Sequence, residues 1–466
     1  AAGVEQPPEG HHQQWAVQVG FGSCTPDQFL HGYRIAHLPG SGGLPGREPV
    51  RRSGVTGEPL VESGDRHPYR WVVFGGVAGV YFGFGVVAAS LAPVVAEVRA
   101  DLGLSRSAMG LALGAWQLVY IVTAPVGGRL VDRLGLRWSL TIGALIVTAS
   151  GLARAAAGDL ATLWLAVALF GVGGPLISAC APTAVALWFG DHRERRLAVG
   201  AYTAAPAIGG IGVLVLSNSV LMPLTGSWRW TMVIETGAIV IALLVWLVVS
   251  ARAPQLPGGA QATGGGGGGW RDLLVDAEFR VVLALGLVVF FLTHGLGGWM
   301  PEILREYSGF SAMAAANWVA MAGVVGIGAS LVLPRWGDHR RLPLVLMGLS
   351  VVVAAALTAI VAAPTALDPL FVGLLGVRSA IIPLAILALM ESPSVGPQNM
   401  GTAYGLWFAV AEVGGVTGPL AVGRIGDSNV GFGGALMTMA AVCGVVMILA
   451  CRLRAVRGPT VGSDRP

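Results

Sequence analysis

From Trp71 to Ala96 the chain carries no charged side chain, and Arg70 and Glu97 close the run. No other feature limits the fold so strongly. A helix crosses a bilayer core with about 20 apolar residues, and this run is long enough. Comparable stretches recur at about 107–128, 138–157, 160–188, 197–221 and 230–250, then at 281–301, 313–334, 342–363, 369–390, 399–423 and 430–451. None alternates with period two, so they predict helices and not barrel strands. The expected fold class is an all-α membrane protein with twelve transmembrane helices.

Composition agrees: 54% of the 466 residues are hydrophobic and 12% charged, against about 25% charged in a soluble domain. The formal charge of +4 does not imply nucleic acid, because the basic residues sit at the ends of apolar runs and form no face. All 29 of them are arginine. With the amino end inside, the inner segments hold 17 arginines. The outer ones hold Arg99, Arg106, Arg154, Arg229, Arg305 and Arg424. That bias places both termini in the cytoplasm of a bacterial inner membrane, lipid being the main partner. Cys24, Cys180, Cys443 and Cys451 lack metal-ligand spacing and read as reduced, packing residues.

Residues 1–66 are polar and aperiodic, which predicts a disordered tail. Two apolar regions follow, 67–252 and 280–455, and residues 456–466 form a short tail. The linker 253–279 includes six glycines, Gly264 to Gly269, and reads as a flexible cytoplasmic tether. The two regions are related. The charged turn Gly128-Arg129-Leu130-Val131-Asp132-Arg133-Leu134-Gly135-Leu136-Arg137 separates two apolar runs and pairs them as a hairpin. A degenerate copy, Pro334 to Arg341 with Asp338, stands 206 residues later. Gly103-Leu104-Ser105 matches Gly309-Phe310-Ser311, and Gly200 with Gly209-Gly210 matches Gly405 with Gly414-Gly415, at nearly the same offset. Pro93 and Pro301 are expected to end the first span of each half. Such recurrence predicts two pseudo-symmetric six-helix bundles.

Gly128, Leu130, Asp132, Arg133, Gly135 and Arg137 fit a signature of the major facilitator superfamily, which the chain resembles across roughly 70–455. The resemblance implies two six-helix bundles around a central cavity that opens to each side of the membrane in turn. It assigns Gly128, Asp132, Arg133, Gly135, Arg137 and Asp338 to a cytoplasmic gate. Gly128 is expected where helices approach closely, and Gly75, Gly79 and Gly83 form a small-residue seam in span one. Spans five and eleven keep parts of the glycine-proline antiporter motif, at Pro206 to Gly210 and at Gly414 with Gly418-Pro419. The span four–five junction, Trp188-Phe189 to Gly200, is similar to that of cyanate/nitroimidazole, oxalate/formate and monocarboxylate porters. So is His294-Gly295 with Trp299-Met300-Pro301.

Ionisable groups deep in a span persist when paired or used. Arg378 lies about ten residues into its span, some 15 Å at the helical rise, and Glu412 lies equally deep. His294 sits in the outer half of span seven and Glu235 five residues into span six. In the resembled fold Arg378 and His294 could face substrate, with Tyr81, Trp116, Gln117 and Tyr120 as further cavity contacts. Two readings stand for Arg378: it binds the negative group of a small anion while Glu412 pairs with it or takes a proton, or the two form a permanent structural pair. A guanidinium matches a carboxylate through two parallel N–H bonds. The sequence thus points to a non-enzymatic, monomeric secondary transporter of a small organic anion. The alternatives are a proton-coupled drug or metabolite efflux antiporter and a non-transporting receptor. No cofactor, metal or nucleic acid is expected. The glycine run lacks the Lys-Ser/Thr partner of a phosphate-binding loop, and protons are the expected coupling ion.

Overall fold

The computed structural model describes residues 68–189, 192–253, 270–337, 339–396 and 400–457. Among them there is no strand, and twelve helices are long and apolar enough to cross a membrane. They are α1 (Arg70–Leu102), α2 (Arg106–Val131), α3 (Arg133–Ala155), α4 (Leu160–Val185), α5 (Leu197–Thr225) and α6 (Trp228–Arg252). The second six are α7 (Ala277–Glu306), α8 (Ala312–Trp336), α9 (Leu342–Ala362), α10 (Thr365–Met390), α11 (Thr402–Gly426) and α12 (Gly431–Arg457). In hydrocarbon every backbone polar group needs an internal partner, which a helix supplies within its own segment. The protein is a multi-pass membrane protein of two six-helix bundles. Residues 254–269 of its expected tether, glycine run included, and its polar amino-terminal tail to residue 67 lie outside the described residues, whereas Trp270–Val275 at the tether's end is helical and not a flexible segment.

The repeat seen in the sequence is a repeat of local structure. Gly103 and Gly309 both take left-handed backbone angles, with φ of 63° and 74°. Two residues on, Ser105 and Ser311 cap α2 and α8 by accepting from the amides of Ala108 and Ala314. Helix contacts repeat as well. A Cβ on Gly209 in α5 would overlap the Phe82 carbonyl of α1, and one on Gly414 in α11 would overlap the Leu287 carbonyl of α7. Gly171 of α4 lies against Trp116 of α2 as Gly376 of α10 lies against Ala322 of α8. Close backbone approach of this kind is what glycine permits in a membrane bundle.

Three expectations need correction. Pro93 and Pro301 do not end their spans: α1 resumes after a 3-10 turn at Ala92–Val94, and α7 runs through to Glu306. A proline removes one hydrogen bond, and neighbours can supply the missing partner. In the same break of α1, Asn218 donates to the Pro93 carbonyl at 2.8 Å. Gly128 is not at a close approach, because a Cβ there would meet nothing within 4 Å; its neighbour Gly127 instead lies against Pro175. In α1, Gly83 and Gly85 make tight contacts while Gly75 makes none.

We call the end bearing the Gly128–Arg137 turn the motif end and the other the far end. At the far end one apolar core spans both bundles, joining Leu91, Val94, Met109 and Leu113 to Leu292, Leu296, Trp299 and Ile303. At the motif end each bundle has its own core, around Phe74, Leu140 and Trp246 in one and Phe279, Leu384 and Trp407 in the other. The bundles are therefore closed on each other at the far end.

Candidate functional site

Helices α2 and α11 bring the bundles together from the far end inward. A Cβ on Gly110 would lie 2.5 Å from the Pro419 carbonyl, and one on Gly114 2.8 Å from that of Val416. One turn further, around Gly415, three polar side chains from three helices converge. The point where its Cβ would stand is 2.5 Å from Glu412 Oε2, 3.2 Å from Gln117 Cγ and 3.5 Å from His294 Nδ1. Gln117 is 2% and Glu412 1% exposed, and Gln117 Oε1 and Glu412 Oε2 have no partner. His294 Nδ1 lies 3.1 Å from the Phe290 carbonyl. A carbonyl only accepts, so Nδ1 carries hydrogen and Nε2 is the site for a further proton. The expected contacts Gln117 and His294 and the expected coupling residue Glu412 thus form one cluster.

Aromatic rings surround it across both bundles. Trp116 stands 5.8 Å from the His294 ring and Tyr120 5.6 Å from Phe408, which is itself 5.7 Å from Phe290. Tyr81 donates to the Ser178 carbonyl at 2.6 Å, and the Tyr120 hydroxyl bonds to Ser178 Oγ. Tyr202 packs 5.7 Å from Tyr81 and Tyr404 6.0 Å from Phe408. Tyr81 and Tyr120 are buried, whereas Tyr404 is 41% exposed. Hydroxyl and ring contacts are the means by which a cavity fixes a small solute. Ser178, Tyr202, Phe290, Tyr404 and Phe408 escaped sequence reasoning, because one aromatic among many on an apolar helix gives no signal of where it faces.

Arg378 shares no hydrogen bond or ion pair with this cluster. It sits in a 3-10 segment of α10, Gly376–Ala380, and donates to the Leu375 carbonyl at 3.1 Å. Its Nε is buried without a partner. It makes no ion pair with Glu412 or any other described acid, so the permanent Arg378–Glu412 pair is absent from this conformation. A second deep arginine was missed. Arg154, counted by the charge tally as an outer-segment residue, is 1% exposed. It donates to the Val87 carbonyl at 2.6 Å, where α1 breaks, and lies 5.3 Å from the Phe170 ring centre. Its place in the last turn of α3 hid it, since an arginine at a helix end ordinarily reaches water.

Of the residues expected to form a gate, Arg133, Gly135 and Arg137 are exposed at the motif end. Gly135 holds the α2–α3 turn with φ 74° and ψ 170°. Arg133 and Arg137 are exposed, Arg137 lying 5.5 Å from the Trp138 ring. The Asp132 side chain and Asp338 lie outside the described residues. At the far end the bundles are tied by charge. Arg99 meets Glu302 at 2.7 Å, Arg305 meets Glu97 at 2.8 Å, and Arg106 pairs with Glu306. Asp427, in the α11–α12 turn, caps α2 of the other bundle by accepting from the Arg106 and Ser107 amides at 2.9 and 2.7 Å. Burial alone would raise the Asp427 pKa, but the hydrogen bonds from Ser107 and Arg106 hold it below the ordinary carboxylate value. Among the described residues no group of His, Cys, Asp and Glu could hold a metal ion. An apolar depression of about 520 Å³ lined by Leu111, Leu160 and Trp164 offers no polar side chain and is not the site.

A family profile described as Major Facilitator Superfamily matches residues 73–401. The human protein spinster homolog 3 is 30% identical over 229 residues, 46% of this chain and 44% of that protein. The puromycin resistance protein of Streptomyces alboniger is 32% identical over 218 residues, 42% of each chain. The chain thus spans under half the length of these two relatives. A D-galactonate transporter of Escherichia coli is 26% identical over 409 residues, 76% of this chain and 88% of that one. Among solved structures, a bacterial homolog of the human lysosomal transporter Spinster superposes with a TM-score of 0.68 at 16% identity. The match covers 84% of this chain and 97% of that one.

Proposed function

We propose, since the chain belongs to the major facilitator superfamily, that it is a secondary transporter moving a small organic anion by alternating access. One observation carries the anionic assignment: Arg378 stands deep in α10 with no acid to neutralise it and an unpartnered Nε. A guanidinium in a bilayer core needs a counter-charge, and a substrate carboxylate supplies one with two parallel hydrogen bonds. The relative named as a D-galactonate transporter supports an acidic solute. Glu412 is the coupling residue. It lies between Gln117 of one bundle and His294 of its own, so a proton there alters the contact on which the bundles rock. Tyr81, Gln117, Tyr120 and His294 complete the solute site. The motif end, richer in arginine, faces the cytoplasm of a bacterial inner membrane with both termini, and the working unit is a monomer.

A second reading has its own observation. The unpaired Glu412 among aromatic rings is also the chemistry that holds an organic cation, and one relative is named for puromycin resistance. Exchange assays in proteoliposomes with a panel of small carboxylates and apolar amines decide between them. Carboxylate exchange that is lost in Arg378→Lys supports the anion site. Full exchange with unchanged affinity in that variant, or exchange of amines alone, overturns it.

A further inference from the structure

We propose that Glu235 is a proton-binding site separate from Glu412, and that its proton holds the far end closed. Glu235 of α6 is 6% exposed, and its Oε2 is buried without a partner. Its Oε1 bonds to the Ser217 hydroxyl of α5. That hydroxyl also lies 2.6 Å from the Val213 carbonyl. A serine has one hydrogen and a carbonyl can only accept. When Ser217 gives its hydrogen to Val213, the hydrogen between Ser217 and Glu235 belongs to the carboxyl. No described cation bonds this carboxyl and one of its oxygens has no donor, so its neutral form is the one that apolar surroundings favour, with Ser217 then donating to Val213 and accepting from Glu235.

The consequence lies in the backbone beside it. Ser217 opens a π-type turn, Ser217–Leu221, in which α5 widens by one residue; such turns mark functional places in helices. The next two residues carry the connection outward. Asn218 donates to the Pro93 carbonyl in the break of α1, and Ser219 Oγ lies 3.4 Å from Asn317 Oδ1 of α8, in the other bundle. Three consecutive residues of one turn thus touch the Glu235 carboxyl, the α1 break and the facing bundle. Without its proton Glu235 draws the Ser217 hydrogen to itself, and the Val213 carbonyl loses the hydroxyl that bonds it. The turn relaxes, and with it the contact to Asn317. No described cation forms an ion pair with Glu235, and Arg154 Nε and Nη2 are themselves buried without a partner. On α3, Arg154 is engaged with Val87 and Ser90. Asp101 of α1 is paired with Arg229 of α6, and Glu97 and Arg99 of α1 are paired with α7. Closing the far end then takes up a proton, and by linkage a rise in pH favours its opening.

Infrared spectra of the detergent-purified full chain test the protonation at neutral pH. The carbonyl-stretch band of protonated carboxylic acids should lose a share in Glu235→Gln, and lose it equally in an Glu412→Gln background. That addition keeps a failure here distinct from a failure of the coupling assignment. If Glu235→Gln does not fold, Ser217→Ala serves, because the band should move when the carboxyl loses its acceptor. An unchanged band in the folded variant overturns the proposal. Closure is read by disulfide formation in Ser219→Cys/Asn317→Cys, as the ratio of the parent to its Glu235→Gln derivative so that thiol ionisation cancels. The ratio should fall severalfold from mildly acid to alkaline pH. A flat ratio overturns the link to closure.

Discussion

A methyl group at Gly414 has no room, since it would overlap the Leu287 carbonyl, whereas one at Gly128 would meet nothing within 4 Å. Gly414→Ala should therefore destabilise the protein by about 1–3 kcal/mol, the usual range for overpacking. Gly128→Ala should leave the melting temperature in detergent unchanged. A fall in Tm for Gly128→Ala alone would reverse the assignment of which glycines carry the packing. The sequence pointed to Gly209 and Gly414, because their spacing repeats in both halves, and to Gly418 through the glycine-proline motif. It misjudged Gly128, because membership of a motif says nothing about where a neighbouring helix passes. Arg154 and Arg378 make the same point for charge. Depth along a run is legible from residue counting, but the direction in which a side chain leaves the helix is not. That direction decides whether a guanidinium meets an acid, a carbonyl or a solute.

At the scale of the element, the long charge-free runs fixed number and type, while the ends were set by chemistry that hydropathy does not see. The α2–α3 turn is the sharpest case. The backbone is helical from Ala115 to Ala155 apart from Gly135, whose φ of 74° and ψ of 170° belong to a region open essentially to glycine. Gly135→Ala should cost about 1–3 kcal/mol by that strain, read as a lower Tm. A residual hairpin of unchanged stability would mean the turn relaxes freely. The start of α2 gives a pH-dependent counterpart. Asp427 is held below the ordinary carboxylate value by the donors of Ser107 and Arg106. Its contribution to far-end closure is then present at neutral pH and lost as pH falls through its lowered value. Asp427→Asn should abolish that acid-side loss, measured as the pH dependence of labelling of a far-end cysteine by a membrane-impermeant thiol reagent.

For the whole molecule, two related six-helix bundles were legible from repeats alone, but the conformation was not. Sequence is common to every conformation a chain adopts, so only the structure reveals that one apolar core spans the far end and two separate cores occupy the motif end. The crossed ion pairs Arg99–Glu302 and Arg305–Glu97 lie over the shared core. Arg99→Glu should raise far-side labelling of a cysteine placed at mid-depth several-fold, and adding Glu302→Arg should restore protection. Equal labelling in the single and double variants would show that the pairs do not hold the bundles.

The glycine contacts between α1 and α5, and again between α7 and α11, leave backbone touching backbone with no side chain to act as a cushion. Each pair is a stiff cassette. Spin labels placed on both members of one pair should give a single narrow distance distribution whatever solute is present, and labels on different bundles should give a broad or double one.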